Sequence, residues 1–303
     1  MELWLVLVRF VHYATSLVLF GLVLFPFYAY PRAASRDGGT SGLAISLSVS
    51  LLILASGILW FIGVTISMTG GGANWETARF VLTDTSFGAV AFLRLGAAIA
   101  AIGTTLTLLV RGPSKKLELL LLAICAILLG SLAGVGHTQI EDSEARAVHT
   151  LSDSLHLVGA GAWLGGLVGL LDLVVASFRG NKEAERDACE AALRFSVMGY
   201  AAVAILVVSG LINSWFLVGS FTNLITTTYG QLLLLKLLLF SAMLAFAGFN
   251  RFFVVPTLLE SSTADTKRGL RKLLINAVAE QSLGLAIILI VSFLGVTEPA
   301  ATS

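Results

Sequence analysis

Residues 3–30 read LWLVLVRFVHYATSLVLFGLVLFPFYAY. Only one charged side chain, Arg9, and one histidine, His12, interrupt a run long enough to cross the roughly 30 Å hydrocarbon core of a bilayer as a helix. A barrel strand would alternate apolar and polar residues over about ten positions, and this run does not. Seven further runs of the same kind follow, at about 42–68, 87–110, 116–136, 151–178, 193–219, 229–255 and 273–296. They are separated by breaks such as Pro31-Arg32, Gly70-Gly71-Gly72, Arg111-Gly112-Pro113 and the charged stretch from Arg179 to Glu190. Composition agrees: of 303 residues, 57% are hydrophobic and 12% charged, against roughly 25% charged in a soluble domain. The expectation is an all-α polytopic membrane protein, a single membrane domain over 1–303 with eight transmembrane helices surrounded by lipid. The first run follows Met1-Glu2 rather than a basic segment and carries Arg9, so it reads as a span and not as a cleaved leader.

Several function classes fall away on the same numbers. A net charge of +1 does not suit a nucleic-acid binder, and two cysteines are too few for a disulfide framework or thiolate cluster. The Gly70-Gly71-Gly72 break lacks the following Lys-Ser/Thr of a phosphate loop, which argues against a nucleotide partner. With no nucleophile–base constellation in view, a transporter or metal-binding protein is expected rather than an enzyme.

Lys and Arg set the orientation. The loops after the first, third, fifth and seventh spans carry Arg32 and Arg36; Arg111, Lys115 and Lys116; Arg179, Lys182 and Arg186; and Lys267, Arg268, Arg271 and Lys272. The other loops carry only Arg79 and Arg146. By the positive-inside rule the first set is cytoplasmic and both termini are periplasmic.

Paired signatures recur in order along the two halves. His12 precedes Gly21 by the same interval as His156 precedes Gly165; Ser56-Gly57 answers Ser209-Gly210; and Thr85-Ser86-Phe87-Gly88 with Arg94 answers Thr227-Thr228-Tyr229-Gly230 with Lys236. These pairs predict two parallel four-helix repeats, residues 1–136 and 147–296, related by an axis along the membrane normal. A periplasmic loop at 137–150 and a cytoplasmic loop at 179–192 are expected.

The four histidines, His12, His137, His149 and His156, all fall on the outward side or in the outer half of the membrane. On a helix beginning near Ala147, His149, Asp153 and His156 share one face at i, i+4 and i+7. Neutral imidazoles ligate metals, and a nearby carboxylate can orient a ligand ring by accepting its second N–H, which is the role expected for Asp153. A single histidine at a helix end is commonly a wet interfacial side chain, so the deep, repeat-related His12 and His156 carry the stronger functional expectation. Histidine sites suit copper, zinc, iron or nickel, and the residues alone leave that choice open.

Further charges lie inside the apolar runs, with Asp172, Arg251 and Glu280 toward the cytoplasmic side. Arg251 and Glu280 are at comparable depth on neighbouring spans and are expected to neutralise each other. Arg9, Arg94 and Lys236 form an outer set of cations with no anion at matching depth. Histidines together with cations also fit haem b, whose iron takes histidine and whose propionates take Arg or Lys; His12, His156, Arg94 and Lys236 are the candidates.

The stretch Gly134-Val135-Gly136-His137, Val148-His149, Asp153, Leu155-His156-Leu157 and Ala162-Trp163-Leu164-Gly165-Gly166-Leu167 resembles the copper resistance D (CopD) family. Further matches are Leu193-Arg194-Phe195-Ser196, Val208-Ser209-Gly210-Leu211-Ile212-Asn213, Tyr229-Gly230-Gln231 through Lys236, Asn250-Arg251 before Pro256, Glu280, Glu298-Pro299, and at the front Arg9-Phe10-Val11-His12. The resemblance implies a multi-pass protein of the bacterial inner membrane that imports copper or confers copper resistance. It also implies copper taken at the periplasmic face by His12, His137, His149 and His156, and a periplasmic copper-binding partner of the CopC type. A membrane anchor that docks such a carrier is the alternative within the same reading. More distantly, His156 with Trp163–Gly166 and Lys236 resemble the HemJ family of haem-associated membrane oxidases.

Overall fold

The structure, a computed structural model, describes residues 3–30, 39–69, 74–135, 143–180, 182–218, 220–260 and 263–297. His137 and Glu298-Pro299 lie outside them. The described residues are helical almost throughout, and eight helices are long and apolar enough to cross a membrane. In chain order these are α1 (Leu3–Ala29), α2 (Gly39–Thr69), α4 (Ser86–Arg111), α5 (Lys115–Gly130), α6 (Ser143–Ser177), α7 (Lys182–Val218), α9 (Thr228–Phe249, continued by a π-turn, Asn250–Val254, and α10, Val255–Glu260) and α11 (Thr263–Leu294). Two short helices, α3 (Trp75–Asp84) and α8 (Phe221–Thr226), precede the third and seventh spans.

Two stretches expected as loops are partly helical. α6 already begins at Ser143, and α7 at Lys182 inside the charged run. Charged side chains that water solvates are good helix formers, so a helix started in the bilayer continues beyond it until its donors and acceptors meet solvent. The Glu190–Arg194 pair, one turn apart on α7, supports that extension, and Arg194 Nη1 also donates to the Tyr30 carbonyl at 2.9 Å.

α1 and α6 form the central pair. Lipid gives no hydrophobic driving force between helices, so close backbone approach and the dispersion contacts it permits must supply the attraction. Gly21 and Gly165 supply that approach: a Cβ added to Gly21 would overlap the Gly161 carbonyl and the Gly165 Cα, and one added to Gly165 would meet the Leu17 carbonyl at 2.6 Å. Leu17 beside Gly161, Gly21 beside Gly165 and Phe25 beside Gly169 show the two helices running parallel. Around this pair, α2, α4 and α5 complete one group of four helices, and α7, α9 and α11 the other.

Corresponding positions of the two groups carry the same local contacts. Thr85 Oγ1 and Thr227 Oγ1 each accept from the amide three residues on, Gly88 and Gly230, at 3.0 Å. Each of these glycines packs on the carbonyls of the preceding short helix, Val81 and Leu82 in α3, Asn223 and Leu224 in α8, where any Cβ would overlap. Those short helices start alike, with the side chains of Asn74 and Ser220 accepting from the amides of Thr77 and Asn223. The groups differ in closure: α2 packs along α4, whereas α7 scarcely touches α9, and the gap between them holds two cavities.

Gly21→Ala and Gly165→Ala should each force α1 and α6 apart and destabilise the protein by about 1–3 kcal/mol or more. Gly103→Ala, which meets open space, should not. Thermal unfolding in detergent, followed by size-exclusion chromatography, checks this; equal midpoints for all three would remove the crossing from the account.

Candidate functional site

His12 on α1 and His156 on α6 make the same first contact. His12 Nδ1 is 2.9 Å from Ser56 Oγ on α2, and His156 Nδ1 is 2.9 Å from Ser209 Oγ on α7. Each hydroxyl already donates one turn back, Ser56 to the Leu52 carbonyl at 2.7 Å and Ser209 to the Ile205 carbonyl at 2.5 Å. A carbonyl can only accept, so the hydroxyl proton is committed and the ring N–H must donate to Oγ. Both rings therefore carry their proton on Nδ1 and present an unprotonated Nε2. An imidazole fixed in this tautomer from behind is arranged as a metal ligand is. Gly57 and Gly210 leave room for the rings, with the imidazole Cε1 atoms 3.3 and 3.6 Å from where a Cβ would stand.

The surroundings then diverge. Three residues after Gly57 stands Trp60; three after Gly210 stands Asn213. Trp60 is 3% exposed, with its ring 5.5 Å from that of His12, edge to face. The guanidinium groups of Arg94 and Arg9 lie 4.4 and 5.2 Å from its centroid. Indole faces attract cations, so Trp60 gathers two arginines over itself and fills the space in front of His12. What remains between His12, Trp60, Phe87 and Arg94 is about 10 Å³, the space of one water at most. His12 Nε2 and two nitrogens of Arg94 are buried there without a hydrogen-bond partner, while Arg9 Nη1 donates to the Gly295 carbonyl at 2.7 Å.

In the other half the space beside the histidine ring is open. His156 lines a cavity of about 540 Å³ bounded by α6, α7, α8, α9 and α11, and Lys236 shares its wall. Ser214 and Trp215 lie toward its α8 end; the rest is almost wholly apolar. Asn213, in the place of Trp60, donates to Asp153 Oδ1 at 3.2 Å. Asp153 lies near both His149 and Lys236, while Ser209 takes the His156 N–H.

The expected metal-ligating histidines are brought together only in part. His149, seven residues before His156 on α6, is buried and stacks on Phe216 at 4.8 Å between centroids. His12 and His156 line different cavities. Among the described residues no three His, Cys, Asp or Glu side chains converge as a metal cage, and His137 falls outside them.

A third cluster was misread in the sequence. Glu280 does not pair with Arg251: its Oε1 accepts from Asn250 Nδ2 at 2.7 Å and its Oε2 from Trp163 Nε1 at 3.3 Å. Asn250 Oδ1 accepts in turn from Asn276 Nδ2 at 2.7 Å, and Arg251 Nε donates to Tyr200 Oη at 3.2 Å. Asn250, the first residue of the π-turn, faces α11, and Arg251, the next residue, faces α7. Two asparagines inside apolar spans were the available signal. Trp60, by contrast, looked like any aromatic in a membrane helix.

Diethyl pyrocarbonate, which acylates unprotonated imidazole nitrogen, should label His156 severalfold faster than His12, and Trp60→Asn should raise His12 labelling toward that of His156. Peptide mass spectrometry checks this, and faster labelling of His12 in the unaltered protein would contradict the asymmetry.

Comparison with known proteins follows this geometry. Residues 190–294 match the family described as Copper resistance protein D, and residues 1–148 the Copper resistance protein D-like, N-terminal domain. Copper resistance protein D of Pseudomonas syringae pv. tomato is 29% identical, the alignment covering 96% of each chain. Inner membrane protein YebZ of Escherichia coli (strain K12) is 26% identical with 98% of each covered. Copper transport protein CutJ of Bacillus subtilis (strain 168) is 36% identical over 41% of this chain and 22% of its own length. No solved structure matches the chain.

Proposed function

Since the chain belongs to the copper resistance protein D family and is a multi-pass protein of the inner membrane, we propose that it handles copper by taking the ion at His156 and passing it along the cleft between α7 and α9. The observation that carries this reading is the state of His156: its Nδ1–H is held by Ser209 Oγ, and the ring lines the 540 Å³ cavity. Imidazole nitrogen is a good copper ligand, and Ser209 supplies the outer bond that holds such a ring in place. By the positive-inside distribution of Lys and Arg, this cavity belongs to the periplasmic half of the membrane. His137 and His149 would then deliver copper from the periplasm to His156, from a soluble carrier of the CopC type.

The two groups of four helices are read as repeats related by an axis that passes where Gly21 meets Gly165. A residue and its repeat mate touch each other only near such an axis. On this reading the first repeat has lost its cavity to Trp60. His12 then serves the fold, and the second repeat carries the copper.

A second reading has one specific observation in its favour. His156 and Lys236 share a cavity within the usual ~300–1,000 Å³ of small-molecule sites, which suits a haem held by one histidine with a cation for a propionate. Bound there, haem would supply one-electron chemistry. His12 and Arg94 lie on another cavity and take no part in it.

His156→Ala should abolish copper binding and copper-dependent accumulation in cells, and Ser209→Ala should weaken binding about 10–100-fold. His12→Ala should leave the affinity within a few-fold while lowering stability. Titration with Cu(I) in detergent checks all three; undiminished binding in His156→Ala would refute the proposal. A haem absorption spectrum in the purified protein, lost in His156→Ala, would favour the second reading.

A further inference from the structure

Below the His156 cavity the α7–α9 gap continues as a second cavity of about 450 Å³. The two share Trp163 and Val207 in their walls. Trp163 comes from α6, with its ring 6.1 Å from Phe240 of α9, and stands with Val207 where the upper space meets the lower. Glu280 lines the lower space and is 2% exposed.

The environment of this carboxyl is unusual for a membrane interior. Both oxygens accept from neutral donors, Asn250 Nδ2 and the Trp163 indole N–H, and no Lys or Arg among the described residues lies within ion-pair distance of it. Facing Glu280 from the elements packed on α11 are Trp163 of α6, Tyr200 of α7, and Asn250 and Arg251 of the π-turn. Only Tyr200 and Arg251 of these titrate, and they are bonded to each other. Among the described side chains, neither α1 nor α10 brings a titratable group to the cavity. Two donors favour a carboxylate, whereas burial among mostly apolar side chains, with Arg251 held by Tyr200 rather than paired to the acid, favours the neutral form. Opposing forces of that kind leave a group free to change its protonation when a nearby charge arrives, and the lower cavity has room for the water that would carry the proton.

We propose that Glu280 is a proton-binding site in the membrane core, loaded through the lower cavity and emptied when a cation enters past Trp163. A copper ion arriving beside Trp163 stabilises the carboxylate, so the proton leaves to water in the lower cavity as copper enters. One Cu(I) in for one proton out keeps the charge of the core constant, which a low-dielectric interior strongly favours. The proton site itself stands on the geometry of Glu280; its exchange with copper rests on the copper reading above.

Two measurements on the full-length protein in lipid nanodiscs test this. The first is infrared difference spectroscopy over about pH 5 to about pH 9, a window spanning the range where buried carboxyls titrate. The expected result is a protonated-carboxyl C=O band that titrates in this window and is lost in Glu280→Gln. In Trp163→Phe the band should persist at higher frequency, because one carboxyl oxygen has lost its donor; this variant keeps the test open if Glu280→Gln does not fold. A window without such a band, or a band unchanged in Glu280→Gln, overturns the proton site whatever copper does. The second adds Cu(I) alone to weakly buffered protein near pH 8, where free histidines are already neutral. About one proton released per copper bound, falling to near zero in Glu280→Gln with copper still bound, supports the exchange. Copper binding with no release, or equal release in Glu280→Gln, overturns it. Absence of copper binding in the unaltered protein would instead refute the copper reading.

Discussion

Everything else in the molecule is positioned by the contact between Gly21 of α1 and Gly165 of α6. In lipid, helices gain little from being buried against one another, so association depends on how closely their backbones approach. A pair of facing glycines allows the closest approach, and it occurs here between two helices that run the same way. Each helix carries its histidine nine residues before its glycine, roughly 13 Å along the axis. His12 and His156 each turn to the serine of their own neighbouring helix, Ser56 or Ser209, and line different cavities, so two histidines with matching sequence surroundings do not form a joint site.

From that common start, a single aromatic side chain separates the halves. Trp60 takes the guanidinium groups of buried Arg94 and half-buried Arg9 in cation–π contact and fills the volume in front of His12. Asn213 in the matching place donates to Asp153 instead. One half is thus a cationic cluster closed by an indole. The other is a cavity with a histidine and a lysine in its wall, opening between α7 and α9. The cleft below His156 leads to Glu280, a buried carboxyl held by the neutral donors Asn250 and Trp163.

The spans were plain in the sequence because hydropathy over some twenty residues is a physical requirement of crossing lipid, and all eight runs are helices. Their ends were less legible: α6 and α7 extend into charged stretches where length beyond the bilayer costs a helix nothing. The short helices α3 and α8 were missed, being only a turn or three of mixed character. Of the site, Ser56-Gly57 and Ser209-Gly210 stood out only as paired signatures, and their contact with the histidines became visible in the structure. Partnerships that depend on rotation about a helix axis were not readable. The pairing expected between Arg251 and Glu280 is not made, because Asn250 and not Arg251 faces α11. A tryptophan that closes a cavity has the same letters around it as one that faces lipid.

The most direct test of the central claim, that the α7–α9 cavity and not its counterpart holds the ion, is to locate copper itself. An anomalous difference map from crystals of the Cu(I)-loaded protein should show a peak about 2 Å from His156 Nε2, the usual distance for a metal on imidazole nitrogen, with no peak beside His12. A peak at His12, or copper confined to positions away from both cavities, would contradict the account.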